Sequence, residues 1–129
     1  MRRAVENVFT LMMVNIILRT PKPGEPPEPA AQKYIRTGRL VSGWAPAAER
    51  YGIPIDAPRA GSPSREGAYQ DLDMPDKIHL TAINAVPYGG YVENGSPTVP
   101  AYHMVGGTLM QLRDNNVLAD EIKAAWESL

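Results

Sequence analysis

Between Arg2 and Arg19 apolar residues recur at helical spacing, with Val5, Phe9, Met12 and Ile16 on one face and Val8, Leu11, Met13, Ile17 and Leu18 widening it. This pattern predicts a helix over 2–19 whose broad apolar face must be covered by the rest of its domain or by a neighbouring subunit. The period changes in DKIHLTAINAV, where Ile78, Leu80 and Ala82 alternate with Lys77, His79 and Thr81, as in a half-buried strand. A lone strand is not stable, so partners are expected from 40–44, from 68–72 or from another subunit. Beyond Pro100 the helical period returns, with Val105, Leu109 and Leu112 on one face and then Leu118, Ile122, Ala125 and Trp126. A kink or break is expected at Asn115-Asn116. Gly106-Gly107 costs about 1 kcal/mol of helix propensity per glycine relative to alanine, so the pair is expected where packing is close.

Prolines divide the chain further. All 13 lie between Pro21 and Pro100, which leaves the two ends as the helix candidates. Residues 20–36 carry a proline-rich segment expected to be an extended arm or loop, either a solvated connector or an arm that reaches across a partner subunit. Thr37 can cap a following turn, Gly38 permits a tight bend, and Leu40, Val41 and Trp44 are apolar, with Trp44 read as core. A short helix over 41–50 is expected, with Pro46 in its first turn and Gly52 ending it. Residues 53–76 read as loop, with one extended piece at 68–72. Residues 84–104 read as a shaped loop: Pro87 closes the strand, Gly89-Gly90 and Asn94-Gly95 supply two turns at positive φ, and Pro97 and Pro100 hold the exit extended. Within it, Tyr91-Val92-Glu93 reads either as a surface that packs against a partner or as a hairpin corner with a buried tyrosine.

These elements predict one α+β domain over 1–129: a small mixed or antiparallel sheet in the 37–100 region, flanked by an N-terminal helix and a helical C-terminus at 101–128, with long Pro-rich loops. With 129 residues and 43% hydrophobic content the core must be small. The net charge of −1 is unevenly distributed. Through Arg65 there are ten Lys/Arg against five Asp/Glu, and from Glu66 onward three against nine, so copies of the chain could pair basic region to acidic region. The absence of cysteine excludes disulfides, thiolate nucleophiles and Cys-based zinc sites. The first helix is too short in its apolar run for a membrane span, and Glu6 and Asn7, with no small-residue cleavage pattern after Arg19, argue against a signal peptide.

Candidate chemistry is sparse. His79 and His103 lie 24 positions apart and join Glu93 in a metal set, or an acid–base pair, only if the fold gathers them; no cofactor and no metal are expected. Asp71, Asp73 and Asp76 lack the glycine turn and the following glutamate of a calcium loop. The glycine pairs do not match phosphate-binding spacing, and no serine has nucleophile-elbow context. Arg36, Arg39, Arg50, Arg59 and Arg65 provide at most non-specific contact with DNA phosphates.

Two separated motifs carry a resemblance. Thr37-Gly38-Arg39-Leu40 follows an apolar helix and Thr20-Pro21; after a long gap come Asn84-x-Val86-Pro87-Tyr88-x-x-Tyr91-Val92-Glu93-x-Gly95 and then Val99-Pro100-Ala101. In order and approximate spacing this resembles the tail-component family of long-tailed bacteriophages. Three features depart from the family pattern: the insertion at 22–36, Asn94 in place of an aromatic residue, and Tyr102-His103-Met104 at the start of the last helix. The resemblance implies a non-enzymatic virion protein, made in the host cytoplasm and assembled as a ring, expected to be hexameric, at the head-to-tail junction. Its implied partners are copies of itself, the connector or head-completion proteins and the tail tube. The subunit contact is expected at Arg36, Arg39, Tyr88, Tyr91, Val92 and Glu93, with Phe9 and Met12 from the first helix, and with Arg39 or Arg36 meeting Glu93 across it. Gly38, Pro87, Gly95 and Pro100 would shape the turns. The alternatives are another head-closure or tube-forming protein, a small enzyme using Glu93 with a histidine, and a monomeric binding module that offers its proline-rich arm as a ligand.

Overall fold

A computed structural model describes residues 2–20, 39–55, 66–87, 89–95 and 101–128. In chain order these form α1 (Arg2–Arg19), α2 (Arg39–Ser42), α3 (Ala45–Arg50), β1 (Gly67–Met74), β2 (Lys77–Asn84), α4 (Gly89–Asn94), α5 (Met104–Asp114) and α6 (Val117–Glu127). The fold is α+β: β1 and β2 form a two-stranded antiparallel sheet, α1 packs against β2, and the α5–α6 pair packs on α1. The proline-rich segment at 21–36, with Gly38, Tyr88, Pro97 and Pro100, lies outside the described residues.

Helix α1 spans the expected residues, but its deepest seam is rotated from the expected one. Phe9, Met13, Ile16 and Ile17 are buried, while Val5 and Met12 are only partly covered. On a face this broad, the neighbours decide which apolar column goes deepest. The core joins this seam to Leu40, Val41, Trp44, Ala47, Ala48, Val86 and Met104. Trp44 is core, as expected, and its indole N–H donates to the Thr20 hydroxyl at 3.2 Å. That hydroxyl in turn donates to the Ile16 carbonyl, so the buried indole N–H and the buried hydroxyl are both paired.

β2 finds its partner in the extended piece before it, which is longer than expected. Gly67 pairs with Asn84 and Met74 with Lys77 around the turn at Pro75-Asp76. Ile78, Leu80 and Ala82 face inward and Lys77, His79, Thr81 and Ile83 outward, as the alternation requires. On the inner face the Tyr69 ring lies 5.9 Å from Phe9 and 5.6 Å from Tyr51 between centroids, Phe9 and Tyr51 are 5.3 Å apart, and the Tyr51 and Tyr69 hydroxyls share a hydrogen bond of 2.7 Å. This aromatic triad ties α1, α3 and the sheet together. Nearby, Arg2 bonds both Glu6, at 2.9 Å, and Asp71, fixing the start of α1 against β1.

Three local expectations are corrected. The helix expected over 41–50 is two helices, because the chain turns at Gly43-Trp44. A Cβ at Gly43 would stand 2.2 Å from the Asn84 amide oxygen, and one at Gly67 only 1.9 Å from the Gly43 carbonyl oxygen. The Asn84 side chain sits in this junction, donating to the Leu40 carbonyl at 2.7 Å and accepting from Val86 N–H at 3.2 Å. Pro46 occupies the first turn of α3, where its missing N–H costs nothing, and Gly52 ends that helix at φ +66°. The second correction concerns Gly89-Gly90, which open helix α4 rather than forming a turn at positive φ. Thirdly, Tyr91 is not buried in a hairpin corner but is 65% exposed. The break at Asn115-Asn116 is present, with Asn116 left-handed at φ +54°.

Two predictions follow from this packing. Gly67→Ala forces the Gly43 backbone away and should destabilise the chain by about 1–3 kcal/mol, read by chemical denaturation. Burial, and then the bond to Tyr69, hold the Tyr51 proton well above the ordinary phenol range. The stability this brings is full below the unfolded phenol pKa of about 10 and is lost as pH rises toward the raised folded value. Thermal midpoints should therefore fall more steeply above pH 10 in the parent chain than in Tyr51→Phe.

Candidate interaction surface

The motif residues after β2 form a clasp between the sheet and the C-terminal helices. Val86 is buried in the core, and its carbonyl accepts from Gly89 N–H at 2.9 Å in a turn with Pro87 at its second position. Helix α4 then leads to Gly95, which takes the expected positive φ, +82°. The Val92 and Glu93 carbonyls accept from the N–H groups of Tyr102 and His103 at 2.8 and 3.2 Å. His103 is itself left-handed, at φ +49°, and gives α5 no side-chain cap.

Glu93 supplies that cap. Its two carboxylate oxygens accept from Val105 N–H and Gly106 N–H, each at 2.9 Å, satisfying two of the donors that the first turn of any helix leaves open. A negative group at this end also meets the positive pole of the helix. Gly106 and Gly107 make room for what lies alongside: a Cβ at Gly106 would be 3.3 Å from a Glu93 carboxylate oxygen, and one at Gly107 would be 2.5 Å from the Arg19 guanidinium. Arg19 also donates to the Gln111 side chain at 3.0 Å.

The residues of the expected contact set take the following places within the protomer. Within the protomer the Arg39 guanidinium Nε lies 2.8 and 2.9 Å from the two carboxylate oxygens of Glu66. Glu93 turns inward to α5, Val92 packs against the core, and Phe9 is a core residue of the protomer with 5% exposure. Of the expected contact residues that are described, Tyr91 faces outward and Met12 lines a groove. Arg36 and Tyr88 lie outside the described residues. His79, His103 and Glu93 are not gathered, and among the described residues no three His, Asp or Glu side chains are placed to hold a metal ion.

The groove is a feature that sequence reading missed. It encloses about 290 Å³; its floor is the Val5, Val8, Phe9 and Met12 column of α1. One wall is the run Ile78 to Thr81 of β2 and the other is Leu118 of α6. Four consecutive strand residues, pointing alternately to the two faces of the sheet, line it together, so the backbone edge of β2 forms that wall. The incomplete cover of Val5 and Met12 is the reason the groove exists. Its sequence signal was the excess width of the apolar face of α1.

The protomer also leaves apolar side chains open to solvent. Leu118, Ile122 and Trp126 on α6 are 51%, 39% and 69% exposed. Leu109 and Met110 on α5, Leu18 on α1, and Leu72, Met74 and Ile83 on the sheet are also exposed. The apolar face expected on the C-terminal helices is therefore only partly used by the protomer. Among the described residues no helix is long and apolar enough to cross a membrane. Comparison with family models, with characterised proteins and with solved structures finds no match to this chain.

Removing the α5 cap tests the clasp. Glu93→Ala should cost about 0.5–2 kcal/mol in chemical denaturation, the range for a lost helix cap, and Glu93→Gln, which keeps one acceptor oxygen, should cost less.

Proposed function

We propose that this chain is a structural protein of a tailed-phage virion, forming a ring of identical copies at the head-to-tail junction. There it completes or terminates the tail, or joins it to the connector. The observation that carries the reading is the ordered motif from Asn84 to Gly95, whose described residues build the clasp that orients α5 and α6. The open apolar surface on α5, α6 and the sheet supports it, because a protomer with this much exposed apolar area is one that associates. Self-association also suits a chain with a basic first half and an acidic second half.

In the assembled ring, Tyr91 stays available for a neighbouring subunit, while Glu93 acts within its own subunit. The ring would also meet the connector or head-completion proteins on one side and the tail tube on the other. Contact with passing DNA would be through phosphates and without sequence preference.

Light scattering across a concentration series, with negative-stain images of the same fractions, tests the reading. Closed rings, or stacks of rings, are the expected outcome, and a monomer at every concentration would overturn assembly by this chain alone.

A further inference from the structure

We propose that α6 is a lid on the α1–β2 groove, held open by the backbone of Asn116: when that residue turns right-handed, α5 and α6 become a single helix that rolls Leu118 and Ile122 into the groove. The inference stands on the protomer alone and does not depend on the ring reading. The joint between the helices is short. Asn115, at φ −92° and ψ 5°, lies at the edge of the helical region, and only Asn116, at φ +54° and ψ +32°, takes the left-handed form that residues other than glycine seldom hold. Its side chain gives α6 no cap in return.

The two helices turn different sides to α1. In a straight helix, positions 104, 108, 111, 115, 118 and 122 share one side. On α5 that side faces inward, with Met104 and Thr108 buried and the Gln111 side chain accepting from Arg19 at 3.0 Å. On α6 the same side is open, with Leu118 51% and Ile122 39% exposed. The less exposed side of α6 is that of Val117, Glu121 and Ala125, and Glu121 accepts from Asn7 of α1 at 3.3 Å. The two sides differ by one position, about 100° around the helix. The phase is lost at the left-handed joint.

Straightening the joint restores the phase without lifting α6 away. Gln111 sits beside Arg19 and Glu121 beside Asn7, so α5 and α6 run antiparallel along α1; the ten positions from 111 to 121 rise about 15 Å and the twelve from 19 to 7 about 18 Å. On that scale Ile122 comes level with Val5, while Leu118 already stands at the rim with Val8 and Met12. A roll of one position exchanges Glu121 for Ile122 against α1 and releases Asn116 from its left-handed form. Opposing it are the Asn7–Glu121 bond and Asn115, a polar residue that closure places in an apolar seam. Helix α6 is thus a two-state element, and part of the apolar surface of the protomer is shown in one state and withdrawn in the other.

The chain has no cysteine, so a single thiol reports on the groove without background. In full-length Val8→Cys, alkylation should be about tenfold slower with Asn116→Ala, which disfavours the left-handed form, than with Asn116→Gly, which permits it. Asn115→Leu, which removes the polar seam residue, should slow it as well. Ala124→Cys, on an exposed part of α6, should react alike in all three backgrounds. Nuclear Overhauser contacts between positions 114 and 117 and between 115 and 118 should appear with Asn116→Ala, as in an unbroken helix. Equal rates at Val8→Cys in the alanine and glycine backgrounds would overturn the lid, as would the absence of those contacts. Faster alkylation with Asn116→Ala would also overturn it, because α6 would then be leaving α1 instead of rolling on it. Protection that grows with protein concentration would assign the cover to a second copy and overturn the lid while leaving the ring reading intact.

Discussion

Covering the apolar face of α1 is the constraint on which the other elements depend. Phe9 holds α3 and the sheet through Tyr51 and Tyr69, the 13–17 turn meets the α2–α3 region, and the two C-terminal helices lie along the same helix. A two-stranded sheet is not independently stable in water, and neither are helices of four or six residues. The sheet and the end of α3 are held because α1 supplies their apolar floor through Phe9. The cover is incomplete, and the column of Val5, Val8 and Met12 becomes a groove instead of core. Core and candidate interface are therefore two parts of one helix face, divided by what packs on it.

The elements most legible in the sequence were those governed by local periodicity. The length of α1, the alternation of β2, the stop at Gly52 and the break at Asn115-Asn116 all follow from spacing and from residues that tolerate left-handed backbone. What escaped was governed by contacts distant in sequence. Gly43 divides the expected helix because Asn84 and Gly67, from the two ends of the hairpin, press against it. Gly89-Gly90 looks like a turn on propensity, but the hydrogen bonds from Tyr102 and His103 hold the following residues as the end of a helix.

The candidate site was legible as a motif but not as a geometry. Tyr91, Val92 and Glu93 are adjacent in sequence, yet the helix sends them to solvent, to the core and to the α5 terminus in turn. Within the protomer Arg39 and Glu93 each have a partner that is distant in sequence, Glu66 for one and the first turn of α5 for the other. No local signal announces that a glutamate will cap a helix that begins eleven residues later.

The clasp has a consequence for how the chain tolerates change in length. Tyr102 and His103 are bonded to the Val92 and Glu93 carbonyls, and the Glu93 carboxylate fixes the first turn of α5, so the entry of α5 is set on both sides of the connection between Gly95 and Ala101. The direction of the C-terminal helices is thereby independent of that connection. Lengthening the chain between those two fixed points adds only a slowly growing closure entropy, about 0.6 kcal/mol per doubling. The connection is a place where related chains can diverge, or an insertion can be carried, without re-aiming α5 and α6.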